Sequence, residues 1–191
     1  MDGVIVIDKP EGWTSHDVVN KVRRIAQTKK VGHLGTLDPI ATGVLPMVIE
    51  RATRLAQFYT RSDKVYEGMV QFGWSTSSYD RAGEPTSPRV EVELSAEALE
   101  AALAPFRGET EQRPPAVSAK KVAGRRSYEL ARENVAVELA PVRIQVYELT
   151  VLELIDSRAR LRVHCSGGVF SLAALDKMRF HPALLFRMNC T

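Results

Sequence analysis

The chemistry that this sequence can support centres on one carboxylate in a glycine-rich, loop-like segment. The segment reads Gly32-His33-Leu34-Gly35-Thr36-Leu37-Asp38-Pro39-Ile40-Ala41-Thr42-Gly43. Asp38 precedes a proline, which favours extended backbone at Asp38, and the glycines allow another backbone or a ligand to approach closely. The apolar neighbours predict a desolvated carboxylate, able to act as a nucleophile or general base. The residues alone leave a second interpretation open, a loop aspartate that hydrogen-bonds its own backbone.

Several familiar kinds of site are absent from the sequence. It contains no glycine-rich phosphate loop, no His-Glu-x-x-His helix and no Gly-x-Ser-x-Gly elbow. The four histidines are dispersed, at His16, His33, His164 and His181. Cys165 and Cys190 lack metal-ligand spacing and any disulfide framework, which favours a reduced, cytoplasmic setting. We therefore expect no metal and no cofactor.

The charges are unevenly distributed, although the formal net charge is only +3. Residues 21–30 contain five basic side chains and no acidic one, and residues 113–132 contain six basic side chains against one acidic. An acidic stretch, Glu91–Glu111, lies between them. Two basic stretches of this kind indicate a side of the molecule that faces a polyanion. Charge alone also fits the alternative, in which these side chains only solubilise the surface.

The elements that must position Asp38 alternate irregularly between strands and helices. Strands are predicted at 4–7, 44–49, 65–72, 142–155 and 159–165, the last two as a hairpin. Three helices are predicted. The first begins after an N-cap at Thr14 or Ser15, and the other two span residues 51–59 and 96–106. Pro46 implies an edge position or irregular pairing for its strand. The pattern predicts a mixed α/β domain of the α+β type, with a largely antiparallel sheet flanked by helices.

No part of the sequence is typical of a membrane or export segment. No apolar run approaches the length of a transmembrane helix. Residues 1–3 lead directly into the first predicted strand rather than into a signal peptide. We expect no membrane partner.

Five ordered motifs resemble those of the TruB-type tRNA pseudouridine-55 synthases, over about residues 3–168. The segment Gly32–Pro46 closely resembles the catalytic motif of that family. The other four motifs follow the family's order and spacing. They are Asp8–Ser15, Lys64-Val65-Tyr66, Gly73–Thr76 with Asp80 and Gly83, and Pro114–Lys120 with Gly124, Tyr128, Ala131 and Arg132.

The resemblance implies a pseudouridine synthase-like fold and the isomerisation of uridine 55, in the T loop of tRNA, to pseudouridine. It implies that Asp38 is the essential carboxylate, acting either as a nucleophile or as a base on the sugar. Tyr66 would stack on the uracil and His33 would hold the disrupted RNA loop. For these three residues a packing role is the alternative. Further substrate contacts are expected from four side chains: Lys9, Thr36, Lys120 and Arg132.

The resemblance also implies an organisation and a partner. Residues 1–168 would form the catalytic domain, with an RNA-gripping insertion at about 112–140, and residues 169–191 a divergent or truncated tail. The expected partner is the T arm of tRNA, bound by a monomer without any small-molecule cofactor.

The sequence departs from the family after Gly168. The preceding strand, Val163–Gly168, matches, but Phe170 stands where the family has a tyrosine and Leu172 where it has an arginine that pairs with the aspartate. Arg179, the nearest arginine downstream, is too distant for a simple substitution. We expect slow or undetectable turnover, because a buried carboxylate without its cationic partner loses charge-assisted hydrogen bonds. A truncation, a frame change near residue 169 and a divergent paralogue are alternative origins. A catalytically impaired tRNA-binding protein or RNA chaperone is the alternative function.

Overall fold

The computed structural model describes residues 2–59, 62–77, 81, 83–112, 121–122, 125–126, 141–167, 182–183 and 189–190. Two of the predicted RNA contacts, Lys120 and Arg132, lie outside these residues. So do most of the insertion predicted at 112–140 and most of the tail at 169–191.

The described part of the chain contains strands β1 to β11 and helices α1 to α3. The strands are β1 (Gly3–Lys9), β2 (Val31–His33), β3 (Thr42–Ile49), β4 (Lys64–Phe72), β5 (Gly108–Gln112), β6 (Lys121–Val122), β7 (Arg125–Arg126), β8 (Val142–Ile155), β9 (Arg158–Cys165), β10 (Pro182–Ala183) and β11 (Asn189–Cys190). The helices are α1 (Ser15–Ala26), α2 (Ala56–Tyr59) and α3 (Ala96–Leu103), with 3₁₀ turns at Glu50–Leu55 and Ala104–Phe106.

Nine of these strands form one sheet. Its order is β1-β3-β11-β4-β9-β8-β5, with β2 also paired to β3 and β10 also paired to β4. The pairings in the described residues are antiparallel, except that β11 runs parallel to β3. Strands β6 and β7 form a separate small hairpin. The predicted α+β class with a largely antiparallel sheet is confirmed.

Strand β3 pairs irregularly, as Pro46 predicted. On one side it pairs with β1 from Gly43 to Ile49. On its other side it pairs with β2 at Met47–Ile49 and with β11 at Thr42 and Gly43, so Pro46 lies where the partner changes. A proline lacks the N–H that a continuous ladder needs, but its carbonyl still accepts a hydrogen bond from Leu34 N, at 2.9 Å.

Two hydrophobic cores lie within this architecture. The first packs helix α3 against β4, β8 and β9, and includes Leu99, Leu103 and Phe72. The second packs helix α1 against β2 and β3, and includes Val18, Val22 and Met47. Strand β9 alternates buried and more exposed residues along its length, as expected when only one face meets a core. Helix α1 therefore belongs to a different core from β4.

Both longer helices begin at side-chain caps. Thr14 is the N-cap of α1, and it forms a reciprocal capping box with Asp17. Ser95 caps α3 by accepting a hydrogen bond from Ala98 N. The cap at Thr14 agrees with the sequence prediction. Among the described residues no helix is long and apolar enough to cross a bilayer.

Candidate active site

The loop that carries Asp38 is held on both sides by the fold. Ser15, buried at the start of α1, donates a hydrogen bond to Leu37 O at 3.1 Å and accepts one from Leu37 N at 2.9 Å. Leu37 and Ala41 pack into the second core, whereas Ile40 packs against the first. The loop therefore bridges the two cores, and Asp38 lies between its anchors.

Asp38 is exposed. The prediction that its carboxylate is desolvated is therefore wrong for the chain without RNA. The two hydrogen bonds between Ser15 Oγ and the Leu37 backbone hold Leu37 in the core beside α1. The next residue then faces outward, and a tight turn follows in which Asp38 O accepts from Ala41 N at 3.0 Å. The apolar neighbours anchor the loop instead of covering the carboxylate.

Lys9 is a buried cation underneath this loop. Its side chain has no exposed surface, and its ammonium donates to the carbonyls of Pro10 at 3.1 Å, Trp13 at 2.6 Å and Pro39 at 3.3 Å. Burial lowers the pKa of Lys9, and the nearby carboxylates of Asp38 and Asp17 partly offset that effect. In the free chain the ammonium thus supports the loop through three backbone carbonyls, and the contact of Lys9 with the substrate stays a prediction.

A second bond strengthens the same junction. Gly12 N donates to Pro39 O at 2.8 Å, and Gly12 has a φ of +83°, a conformation that a residue with a Cβ rarely adopts. Pro39 O thus accepts hydrogen bonds from both Gly12 and Lys9. The turn after β1 and the Asp38 loop form one hydrogen-bonded unit.

Tyr66 and His33 lie on strands that flank the loop. Tyr66 is half-buried on β4, packs against the first core, and pairs with Val163 of β9 and with Cys190 of β11. Because Cys190 also pairs with Gly43, Tyr66 and Gly43 are separated by one strand, or about 10 Å. His33, also half-buried, ends β2 opposite Met47, and Thr36 is exposed in the loop.

Lys64 is a further cation at this site, and it belongs to the Lys64-Val65-Tyr66 motif, although the sequence predicted no role for it. It lies two residues before Tyr66, so both side chains project from the same face of β4. A Cβ on Gly35 would lie 3.8 Å from Lys64 Cε, which brings the lysine stem against the Asp38 loop. In the sequence, the two-residue spacing of Lys64 and Tyr66 already indicated that the two side chains share one face of a strand.

Lys120 and Arg132 lie outside the described residues, as does Asp80 of the fourth motif. In the part of the chain that the structure describes, no group of three or more histidine, cysteine, aspartate or glutamate side chains could hold a metal ion.

Known sequences resemble the chain closely. A family model described as the N-terminal domain of the TruB family pseudouridylate synthases matches residues 23–171. The chain is 81% identical over 170 residues to the tRNA pseudouridine synthase B of Solibacter usitatus (strain Ellin6076), covering 89% of the chain and 58% of that relative. With the protein of the same name from Aquifex aeolicus (strain VF5), identity is 49% over 152 residues, covering 80% and 53%. The chain thus spans little more than half the length of these curated relatives.

Solved structures share the fold. A chain in the crystal structure of a Cbf5-Nop10-Gar1 complex matches with a TM-score of 0.75 and 26% identity, covering 99% of this chain and 48% of that one. A chain of an H/ACA RNP bound to a substrate RNA containing 2'-deoxyuridine matches with a TM-score of 0.70 and 24% identity, covering 99% and 46%. At 24% identity the second match shows the fold alone. Since the family model covers most of the chain, the chain belongs to the TruB family of pseudouridylate synthases.

Proposed function

We propose that this chain binds the T arm of tRNA and isomerises uridine 55 to pseudouridine. The observation that carries the proposal is the exposed Asp38 on a loop anchored in two cores, with Tyr66 across one strand. The relatives of this chain are tRNA pseudouridine synthases. Because the chain spans about half of their length, we propose their activity for it.

The reaction needs a carboxylate and no external reactant. The bond from uracil N1 to ribose C1′ breaks, the base turns, and C5 bonds to C1′ while its hydrogen is lost and N1 gains one. As a nucleophile Asp38 would bond to C1′ while the bond to N1 breaks, and C5 would then displace it; as a base it would take a proton from the sugar and return it when C5 bonds to C1′. Either route requires the ionised form, and surface exposure in the free chain keeps that form solvated. The target nucleotide, flipped from its loop, then covers and desolvates the carboxylate.

The remaining side chains bind and orient the RNA in this proposal. Tyr66 stacks on the flipped uracil, and the half-buried His33 supports the opened RNA loop. Thr36, exposed beside Asp38, contacts the nucleotide, and Lys64 places a positive charge near its phosphate. Lys120 and Arg132 grip the RNA further away. The chain acts as a monomer in the cytoplasm.

A second candidate function is RNA binding and refolding without modification. It is favoured by one observation, the leucine at position 172 where the family has its arginine. The cleft-building motifs all precede that position, so binding would survive a loss of chemistry.

One experiment separates the two functions. The chain is incubated with an unmodified tRNA transcript, and pseudouridine is mapped, with a transcript that carries cytidine at position 55 as the matched control. We expect pseudouridine at position 55 of the first transcript alone. Binding of both transcripts without any product would support the second function and overturn the first.

A further inference from the structure

A surface pocket adjoins the Asp38 loop but contains none of the residues assigned to the reaction. It has a volume of about 350 Å³ and is lined by Gly12, Trp13, Asp17, Asn20 and Arg24. This volume lies within the range of small-ligand sites, about 300–1,000 Å³. We call it the Trp13 pocket.

The fold fixes the Trp13 pocket relative to Asp38. The backbone carbonyls of Trp13 and Pro39 accept hydrogen bonds from the same Lys9 ammonium, so they lie within two hydrogen-bond lengths of each other. Gly12, which lines the pocket, also donates to Pro39 O. Pro39 directly follows Asp38, and the pocket therefore opens next to the place where the target nucleotide is proposed to react.

The Trp13 side chain presents an aromatic surface there. It is 40% exposed, and it belongs to neither of the two cores formed by the described residues. An indole left at the surface forgoes much of the stability that its burial would give. Its position beside a basic side chain is instead typical of a platform on which a nucleic-acid base stacks.

The polar residues of the pocket indicate how a nucleotide would lie. Asp17, Asn20 and Arg24 occur at helical spacings of three and four residues, so they share one face of α1. Hydrogen bonds from the Thr14 hydroxyl and N–H lower the pKa of the Asp17 carboxyl, which keeps it ionised at neutral pH. The Asp17 carboxylate would repel a phosphate but could accept a hydrogen bond from an N–H group of a base. The exposed Arg24 would attract a phosphate.

We infer that the Trp13 pocket binds the nucleotide next to the flipped target uridine, with its base stacked on Trp13 and its phosphate at Arg24. The inference rests on the proposed function, since the target uridine defines which nucleotide is the neighbour. Binding this nucleotide would hold the RNA open on one side of Asp38.

Tryptophan fluorescence tests the inference directly, because the chain has only two tryptophans, Trp13 and Trp74. The Trp74→Phe variant reports on Trp13 alone, and the Trp13→Phe variant reports on Trp74, whose ring lies 4.5 Å from the Arg89 guanidinium. The ligand is a T-arm stem-loop transcript, and its affinity is measured independently by filter binding.

We expect saturating RNA to quench Trp13 and to leave Trp74 unchanged. An abasic nucleotide at one of the two positions that flank the target should remove the quenching. Trp13→Ala should weaken RNA binding about five- to 150-fold, the range for losing one stacked base, whereas Trp13→Phe should retain most of the affinity. The carbonyl of residue 13 still accepts from Lys9 in these variants, so the loop stays anchored.

The phosphate contact has its own control. Arg24→Gln should reduce the slope of log affinity against log salt by about one, and Arg158→Gln, at an exposed position on β9, should leave it unchanged. RNA binding without a change in Trp13 fluorescence, or with the same response to either abasic position, would overturn the inference.

The outcomes separate the pocket from the proposed function. If RNA binds and quenches Trp13 but no pseudouridine forms, the proposed function fails and the pocket stands. If pseudouridine forms but Trp13 does not respond, the pocket fails alone. RNA that does not bind at all overturns both.

Discussion

Asp38 is exposed in the free chain, so the proposed chemistry depends on what the RNA brings over it. Asp38→Asn removes the negative charge and the nucleophilic oxygen while keeping the shape of the side chain. We expect pseudouridine formation to fall by at least about a thousandfold, as for other catalytic nucleophiles. Binding of tRNA should stay nearly intact, because Asp38 is proposed to act on the sugar and not on the phosphates.

The matched control is Asp156→Asn. Asp156 is exposed in the turn between β8 and β9 at a φ of +51°, a conformation that asparagine tolerates well. Single-turnover assays with tRNA transcript should show the control at the parental rate. An Asp38→Asn rate within about tenfold of the parent would remove Asp38 from the chemistry.

Lys9 has a different role, which stability measurements should reveal. Lys9→Met keeps the apolar stem but leaves the Pro10, Trp13 and Pro39 carbonyls without the ammonium donor. Pro39 O keeps its hydrogen bond from Gly12 N, and losing the hydrogen bonds from a charged donor costs about 1.5–3 kcal/mol. We expect urea unfolding to show a loss of that order, together with a smaller loss of rate than in Asp38→Asn.

Lys21→Met provides the comparison for Lys9, since Lys21 is exposed on α1. Its free energy of unfolding should change by less than about 0.5 kcal/mol. If Lys9→Met were as stable as Lys21→Met, the ammonium would not be what joins the β1 turn to the Asp38 loop.

The sequence predicted which residue is the candidate carboxylate but not how it is held. A lysine is normally exposed, and nothing local to Lys9 indicates that the fold brings the Trp13 and Pro39 carbonyls to it. The exposure of Asp38 depends likewise on Ser15, which is distant in sequence. Contacts of this kind exist only once α1 lies against the loop.

At the scale of elements, substitutions at two glycines allow the cost of backbone strain to be measured apart from the cost of steric overlap. Gly73 and Gly108 both have positive φ, +104° and +84°. A Cβ at Gly73 would overlap the Val90 carbonyl oxygen, whereas a Cβ at Gly108 would meet nothing within 4 Å. Gly108→Ala should therefore cost about 1–2 kcal/mol from strain alone, and Gly73→Ala clearly more.

Urea unfolding of the two glycine variants measures the difference. Gly73 O also accepts a hydrogen bond from Val90 N at 2.8 Å. A Cβ at position 73 would push Val90 away and so break this hydrogen bond. Equal destabilisation by the two substitutions would mean that the 73–90 segment yields freely to the added methyl group.

The longer elements could be predicted from the sequence and the short ones could not. Helices α1 and α3 and the β8–β9 hairpin follow from apolar periodicity and capping residues. Strands β2 and β5 were not predicted, because β2 has three residues and β5 has no apolar side chain. Their strand character comes from pairing with β3 and β8 rather than from their own composition. The predicted helix at 51–59 is a 3₁₀ turn followed by the short α2.

At the scale of the whole molecule, affinity for tRNA should fall steeply with salt. The hairpin of β6 and β7 places Lys121 opposite Arg126 within the basic stretch. Each phosphate contact contributes a slope of about 0.7–0.9 in log affinity against log salt. The test variant neutralises four side chains of the stretch: Lys120→Gln, Lys121→Gln, Arg125→Gln and Arg126→Gln. We expect the slope to decrease by about three.

The control for the salt experiment removes basic charge elsewhere. Arg143 lies beside Glu109 and Glu111 on β5, so Arg143→Gln together with Arg158→Gln should change the slope little. A slope that the four-residue variant leaves unchanged would mean that the insertion does not hold the RNA.

Repairing the missing arginine tests the completeness of the site. Replacing residues 169–172 by Thr-Tyr-Ile-Arg restores the family's sequence after the matching strand. We expect single-turnover pseudouridylation to rise about a hundred- to a thousandfold, by analogy with restoring one preorganised charge partner. If the unaltered chain already matches the repaired one, another group performs the task of that arginine.

Strand β11 lies between β3 and β4, and its pairings have a consequence for how the chain folds. Cys190 pairs with both Gly43 and Tyr66, so the sheet is joined across the two cores by residues from the opposite end of the sequence. The chain must lose the conformational entropy of closing this long loop before the β11 pairings can stabilise the sheet. We expect the β1–β3 unit with α1 to form early from local contacts, and the amides at Thr42 and Glu67 to gain hydrogen-exchange protection last. Until β11 pairs between β3 and β4, a folding chain would therefore hold the two cores as separate units.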